Sequence, residues 1–148
     1  MRLSAKGKYA LAAMEVLARR HSSGTPVTIL SIAEQLGISK IYLEQVFSLL
    51  KRSGLVSSIK GSQGGYQLTR MPQSITAYDV LSSIELGLTE ETQAATGGGV
   101  PVLDEALRDT VFTPLDEAIK KVLSSITLED IITATEKHLK DEQLMYYI

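Results

Sequence analysis

The chain has 148 residues, 44% apolar and 22% charged, with no cysteine and a net charge of −2: enough for one compact domain with an appendage, and excluding disulfides, thiolate metal sites and a thiol nucleophile. The charge is unevenly spread, since ten basic against three acidic residues up to Arg70 gives +7 and five against fourteen beyond it gives −9, so a phosphate-neutralising surface is expected only in the first half. No apolar run approaches the roughly 20 residues of a membrane span, and Met1-Arg2-Leu3-Ser4-Ala5-Lys6 lacks a signal-peptide core, so a cytoplasmic chain with no membrane partner is expected.

From the N-terminus, Lys6 to Arg20 reads as a helix with Tyr9, Ala13, Val16 and Leu17 on one stripe, stopped by Ser22-Ser23-Gly24-Thr25-Pro26. Its basic start can rest against a phosphate. Ser31 to Leu36 and Lys40 to Leu50 then form two helices around the turn Gly37-Ile38-Ser39. A steep crossing needs a small residue at the contact, here Ala33, and a corner free to take φ > 0, here Gly37. Ile32, Leu36, Ile38, Leu43 and Val46 fall where the crossing must be apolar, while Lys40, Glu44, Gln45, Ser48 and Lys51 share the opposite face. Ser31 with Glu34 is expected to form a capping box, Ser39 to cap the second helix, and Gly54 to follow its end.

Leu55 to Lys60 and Tyr66 to Thr69 alternate apolar and polar residues on either side of Gly61-Ser62-Gln63-Gly64-Gly65, the pattern of a hairpin with a glycine-permitted turn. A helix-turn-helix, a glycine stop and a wing in this order point to duplex DNA; a helical bundle with an incidental hairpin is the bland alternative. Thr76-Ala77-Tyr78-Asp79 opens a further helix reaching Glu85 or Leu86, and Gly87 to Pro101, with Gly97-Gly98-Gly99 and little periodicity, reads as a mobile loop. Val102 to Phe112 forms a short helix. Thr113-Pro114-Leu115-Asp116 reads as N-cap, N1 proline and acidic first turn of another, or as a proline kink in one longer helix. Leu115, Ile119, Val122 and Leu123 make a seam suited to a partner helix. Thr127 with Asp130 caps a final helix ending near Lys140, and Asp141 to Ile148 is an acidic lead with an aromatic, apolar end.

The runs Leu3-Ser4-Ala5-Lys6-Gly7-Lys8-Tyr9-Ala10, Tyr42-Leu43-Glu44-Gln45, Gly54-Leu55-Val56, Lys60-Gly61 with Gly64-Gly65-Tyr66, Ile75-Thr76-Ala77 with Asp79-Val80, and Ile126-Thr127-Leu128-Glu129-Asp130 resemble the Rrf family of bacterial winged-helix regulators over nearly the whole chain. The resemblance implies a mainly α fold with a small hairpin wing: a DNA-binding head over 1–86, a loop over 87–101, a helical dimerisation region over 102–140 and a tail over 141–148. It implies a homodimer acting as a repressor, joined near Pro114 to Ser124 and presented to a two-fold symmetric operator. DNA contacts carried over are Ser39, Tyr42, Glu44 and Gln45 on the second helix and Lys60, Gly61, Ser62 and Gln63 in the wing, with Arg2, Lys6, Lys40 and Lys51 as flanking cations. Chemically, Glu44 can accept from a cytosine amino group, Gln45 and Ser39 can read base edges or phosphate, and Lys60 can follow the backbone or enter the minor groove. Tyr42 is equally suited to packing at the edge of the core, and Ile41 to a thymine methyl.

Cluster-binding members of the family hold their iron–sulfur centre with cysteines in the loop, where this chain has Thr92, Gln93, Ala94, Ala95 and Thr96; no cofactor is expected. The terminus Tyr146-Tyr147-Ile148 resembles that of the family's cysteine metabolism repressor, whose partner is cysteine synthase, so docking of this tail to such an enzyme is an expectation. An enzyme is disfavoured, since there is no Cys-His or Ser-His-Asp constellation, no GxxxxGK phosphate loop and no paired metal ligands. The rivals left open are a winged-helix protein–protein adaptor and a cluster-sensing regulator whose cysteines were replaced.

Overall fold

The computed structural model describes residues 3–146, and its core gathers around α1 (Ala5–Arg19). Ser4 caps this helix by accepting from the Gly7 amide at 3.0 Å, and Ala10, Ala13, Met14 and Leu17 are buried along it. Small and apolar residues at three- and four-residue spacing let neighbours close on the helix from more than one side. α2 (Ile29–Leu36) and α3 (Lys40–Arg52) pack there through Ile32, Ala33, Leu43, Val46, Phe47 and Leu50. Gly37 makes the corner between them at φ +65°, where a Cβ would be penalised. Leu36 and Ile38 stand half-buried at the edge of the same core.

β1 (Val56–Ile59) pairs antiparallel with β2 (Gly65–Leu68) in the register Val56↔Leu68 to Ile59↔Gly65. Val27 extends this hairpin by a bridge to Tyr66, each amide donating to the other's carbonyl at 2.8 Å. The Tyr66 ring lies 4.7 Å from that of Phe47, so the wing is seated on α3. α4 (Ala77–Ile84) and α7 (Leu128–Met145) both open on complete capping boxes, Thr76 with Asp79 and Thr127 with Asp130. The two boxes sit side by side: Ala77 donates to the Ile126 carbonyl at 2.8 Å and Leu128 to that of Ile75 at 2.9 Å. Leu128 and Ile132 thereby join Ile75 and Val80 in the core. The start of α7 is thus part of the head's packing, although the sequence grouped it with a separate region over 102–140. Among the described residues, no helix is long and apolar enough to cross a membrane.

Several boundaries differ from the sequence reading. α2 starts before Ser31, and Thr28 is its cap, accepting from the Ser31 amide at 3.1 Å; Ser31 and Glu34 form no capping box because both lie inside the helix. Ser39 occupies the N-cap of α3 but makes no side-chain capping bond. Leu86–Leu88 is a short 3₁₀ turn at the front of the loop, and Pro101 is the first residue of α5 (Pro101–Leu107). Thr113 does not cap a new helix: α5 passes through a π turn at Arg108–Phe112 into α6 (Thr113–Ser124) with αR backbone throughout the junction. Pro114 has no amide to give and its ring crowds the carbonyl four residues back, which a wider turn relieves; the Thr113 amide reaches the Arg108 carbonyl instead. The kinked-helix alternative is therefore the one observed. Finally, α7 runs on to Met145, so residues 141–145 are helical rather than tail. No glycine or proline follows Lys140, and Asp141 to Met145 contains only residues a helix tolerates.

Candidate nucleic-acid interface

α3 owes its orientation to one buried and one solvent-facing stripe. Leu43, Val46, Phe47 and Leu50 are fully buried, and this turns Lys40, Ile41, Glu44, Gln45, Ser48 and Lys51 outward. Lys6, Ile41, Glu44, Gln45, Ser48 and Leu49 line one open groove of about 540 Å³. Lys40 and Glu44 approach to 3.9 Å, but both side chains are more than half exposed, so the pair is weak and leaves each group available to another partner.

Tyr42 does two things at once. It is 38% exposed, yet its ring meets Tyr9 edge-on at 5.4 Å and carries the Lys6 ammonium 5.9 Å from its centroid. The aromatic pair fixes the start of α3 against α1, and the cation–π contact brings an α1 charge to the edge of the groove. Sequence reading chose Lys6 and Tyr42 separately and missed this connection, which depends on Tyr9. The α1 start itself is not an open anion site, since the Ser4 amide and hydroxyl both donate to Glu85 Oε1, at 2.8 and 2.6 Å. Lys6, with exposed Lys8 beside it, is thus a group there that can reach a phosphate. Arg2 lies outside the described residues.

Lys60, Gly61, Ser62 and Gln63 form the exposed tip of the wing. The turn closes so tightly that a Cβ on Gly64 would lie 2.0 Å from the Ile59 carbonyl oxygen, so only glycine fits. Lys51 Nζ donates to Ser58 Oγ at 2.8 Å, joining the last turn of α3 to the first wing strand. Ser58 was not singled out in the sequence, because the bond depends on how the hairpin folds back. Exposed Arg52 beside Lys51 adds a cation to this edge.

The expected seam residues lie apart from this face on α6, with Leu115 and Val122 53% and 58% exposed and Ile119 and Leu123 half-buried. The preceding loop, though irregular, is fastened to the α5–α6 helix at two points. Asp104, almost buried, accepts from the Thr96 hydroxyl at 2.5 Å, the Thr96 amide at 2.8 Å and the Gly98 amide at 3.0 Å. Asp116 accepts from the Thr92 amide at 3.0 Å and its hydroxyl at 2.7 Å. Bonds from the Thr96 hydroxyl and then its amide hold the Asp104 carboxyl below the ordinary carboxylate range; the Thr92 amide and then its hydroxyl do the same for Asp116. At the other end of the chain, Tyr146 is exposed beyond α7, and Tyr147 and Ile148 lie outside the described residues.

Residues 3–134 match the family model described as Rrf2, iron-dependent transcriptional regulator. The HTH-type transcriptional regulator CymR of Bacillus subtilis (strain 168) is 37% identical over 150 residues, covering 100% of both chains. The HTH-type transcriptional regulator IscR of Klebsiella pneumoniae (strain 342) is 38% identical over 136 residues, 92% of this chain and 82% of that one. The solved structure of B. subtilis CymR, described as the global cysteine regulator of that organism, superposes with a TM-score of 0.76 at 36% identity, covering 90% of this chain and 98% of the other. These relatives are regulators of transcription, not enzymes, and with a helix-turn-helix, a hairpin wing and a match across most of its length, this chain belongs to the Rrf2 family of transcriptional regulators.

Proposed function

We propose that the chain works as a homodimeric repressor in the cytoplasm, that α3 of each head enters a major groove, and that the wing tip follows the adjacent backbone or minor groove. The carrying observation is the exposed face of Lys40, Glu44, Gln45, Ser48 and Lys51 beside Lys6, coupled to the wing through Lys51 and Ser58 in the basic half of the chain. Glu44 and Gln45 supply the acceptor and donor that base edges require, while Lys6, Lys40, Lys51 and Lys60 neutralise phosphates. The exposed Leu115 and Val122 on α6 support pairing with a second copy. In a tandem of test duplexes, Glu44→Gln should relax the base preference at one position per half-site; unchanged preference would reject the groove assignment.

Regulation in this reading proceeds without iron. The chain has no cysteine, and among the described residues no group of three His, Asp or Glu side chains is placed to hold a metal ion. These donors do not fit an iron or iron–sulfur centre. The signal comes instead through docking of Tyr146, Tyr147 and Ile148 to cysteine synthase, linking operator occupancy to sulfur supply; the likeness to CymR and the exposed end of α7 support this. Calorimetric titration of the native chain and a form lacking Ile148 into cysteine synthase tests it. Equal binding by both, or none by the native chain, would reject it.

A further inference from the structure

We propose that Ile41 reads the 5-methyl group of a thymine, fixing one base pair in each half-site through an apolar contact. This rests on the DNA-reading function proposed above and names a specificity determinant within it. Ile41 is 69% exposed, more than any other large apolar side chain of α3. It is the second residue of that helix, and Glu44, Gln45 and Ser48 follow it at the three-, four- and seven-residue spacing that puts all four on one face. The same four side chains line one groove with Lys6 and Leu49.

Three of these four groups can exchange hydrogen bonds with a base edge, and Ile41 cannot. In a helix-turn-helix the N-terminal residues of the second helix are those that meet base edges. The thymine methyl is the apolar group that the major groove displays. A purine would set its polar edge against the Ile41 methyls and lose water without a replacement bond, and cytosine would offer a C5–H where thymine has its methyl. The position therefore discriminates both by the contact it makes with thymine and by what it withholds from the other bases. Lys6, held over Tyr42 at the rim of this groove, sets a phosphate contact next to it.

The experiment starts from duplexes selected out of a random pool by the full-length native protein, in which each thymine is then replaced in turn by deoxyuridine. Removing the contacted methyl should weaken the native protein about fourfold per half-site, the equivalent of one buried methyl-sized group, at two symmetry-related positions. Ile41→Ser should bind the thymine and uracil duplexes alike, and being at an exposed site it should keep the native circular dichroism. Native protein indifferent to every thymine-to-uracil change, or Ile41→Ser keeping the same methyl sensitivity, would overturn the assignment. Failure to enrich any duplex is a different result: it would overturn the DNA-reading function itself and this assignment with it.

Discussion

Lys60→Gln provides a quantitative test of how the head meets DNA. Four lysines of the described head lie on the proposed face: Lys6 over the Tyr42 ring, Lys40 beside Glu44, Lys51 bonded to Ser58, and Lys60 at the wing, which has no ion pair among the described residues. Two heads give about eight neutralised phosphates, hence a slope of log affinity against log salt near −7, and losing Lys60 from both heads moves it to about −5.4. Between 50 and 200 mM salt the native protein should lose about 2 × 10⁴ in affinity and the variant about 2 × 10³. Fluorescence anisotropy of a labelled operator duplex over that range reads both slopes. Since Lys60 is exposed, thermal stability should be unchanged, and the effect should be alike on operator and unrelated duplexes. An unaltered slope in the variant would remove the wing from the interface, and a native slope near −2 would refute the two-headed footprint.

Gly64→Ala should open the wing: the new Cβ meets the Ile59 carbonyl oxygen, a backbone atom with no freedom to retreat, for a loss on the order of 3 kcal/mol in thermal or urea unfolding, together with weakened operator binding at nearly native helix content. The loop attachment should respond to acid. Because the folded-state carboxyls of Asp104 and Asp116 sit below their ordinary value of 3.8, their contribution is complete above about pH 4 and declines as pH falls below it; the protection of residues 89–100 against hydrogen exchange, taken relative to the intrinsic rate at each pH, should stay flat down to that point and fall beneath it, whereas Asp104→Asn should be less protected at neutral pH with less dependence on acid. Leu115→Ala removes a side chain that is 53% exposed from the proposed dimer seam in both copies; with about half of its surface left to bury on pairing, the loss is about 1.5–3 kcal/mol in total, and sedimentation should show a dissociation constant raised by about one to two orders of magnitude. An unchanged constant would put the dimer contact elsewhere.

What could be read in the sequence was what local chemistry determines. Gly37 between two amphipathic helices, the paired capping signals at Thr76 and Thr127, and the glycine turn of the wing each act within a few residues, so their spacing identified them. The start of α2 misled because Thr28 and Ser31 are both capping residues, and Leu30, exposed in the fold, gave no sign that the helix had already begun. Thr113-Pro114 imitates a helix start, and the π turn that carries the chain through it leaves no periodic trace. The outward face of α3 was legible as a stripe on one helix. Its arrangement was not: the Lys6, Tyr42 and Tyr9 cluster, the Lys51 bond to Ser58 and the Ser4 bonds to Glu85 all join separate elements, and only packing brings them together.

Two carboxylates hold the loop over 87–101 against the α5–α6 helix. Each attachment places an ionised carboxylate on the α5–α6 helix opposite a threonine that gives it both hydroxyl and amide. A carboxylate accepting charge-assisted bonds stays ionised well into the acid range and so keeps its acceptors in place at neutral pH. Asp104 spends both oxygens on Thr96 and Gly98, and Asp116 spends both on Thr92. Carboxylates committed in this way are poor ligands for a cation, because binding one would require giving up bonds that already order the loop. The loop–helix connection is therefore complete in hydrogen bonds alone, and it ties residues on both sides of the π turn, Asp104 before it and Asp116 after it, to a single short stretch of chain.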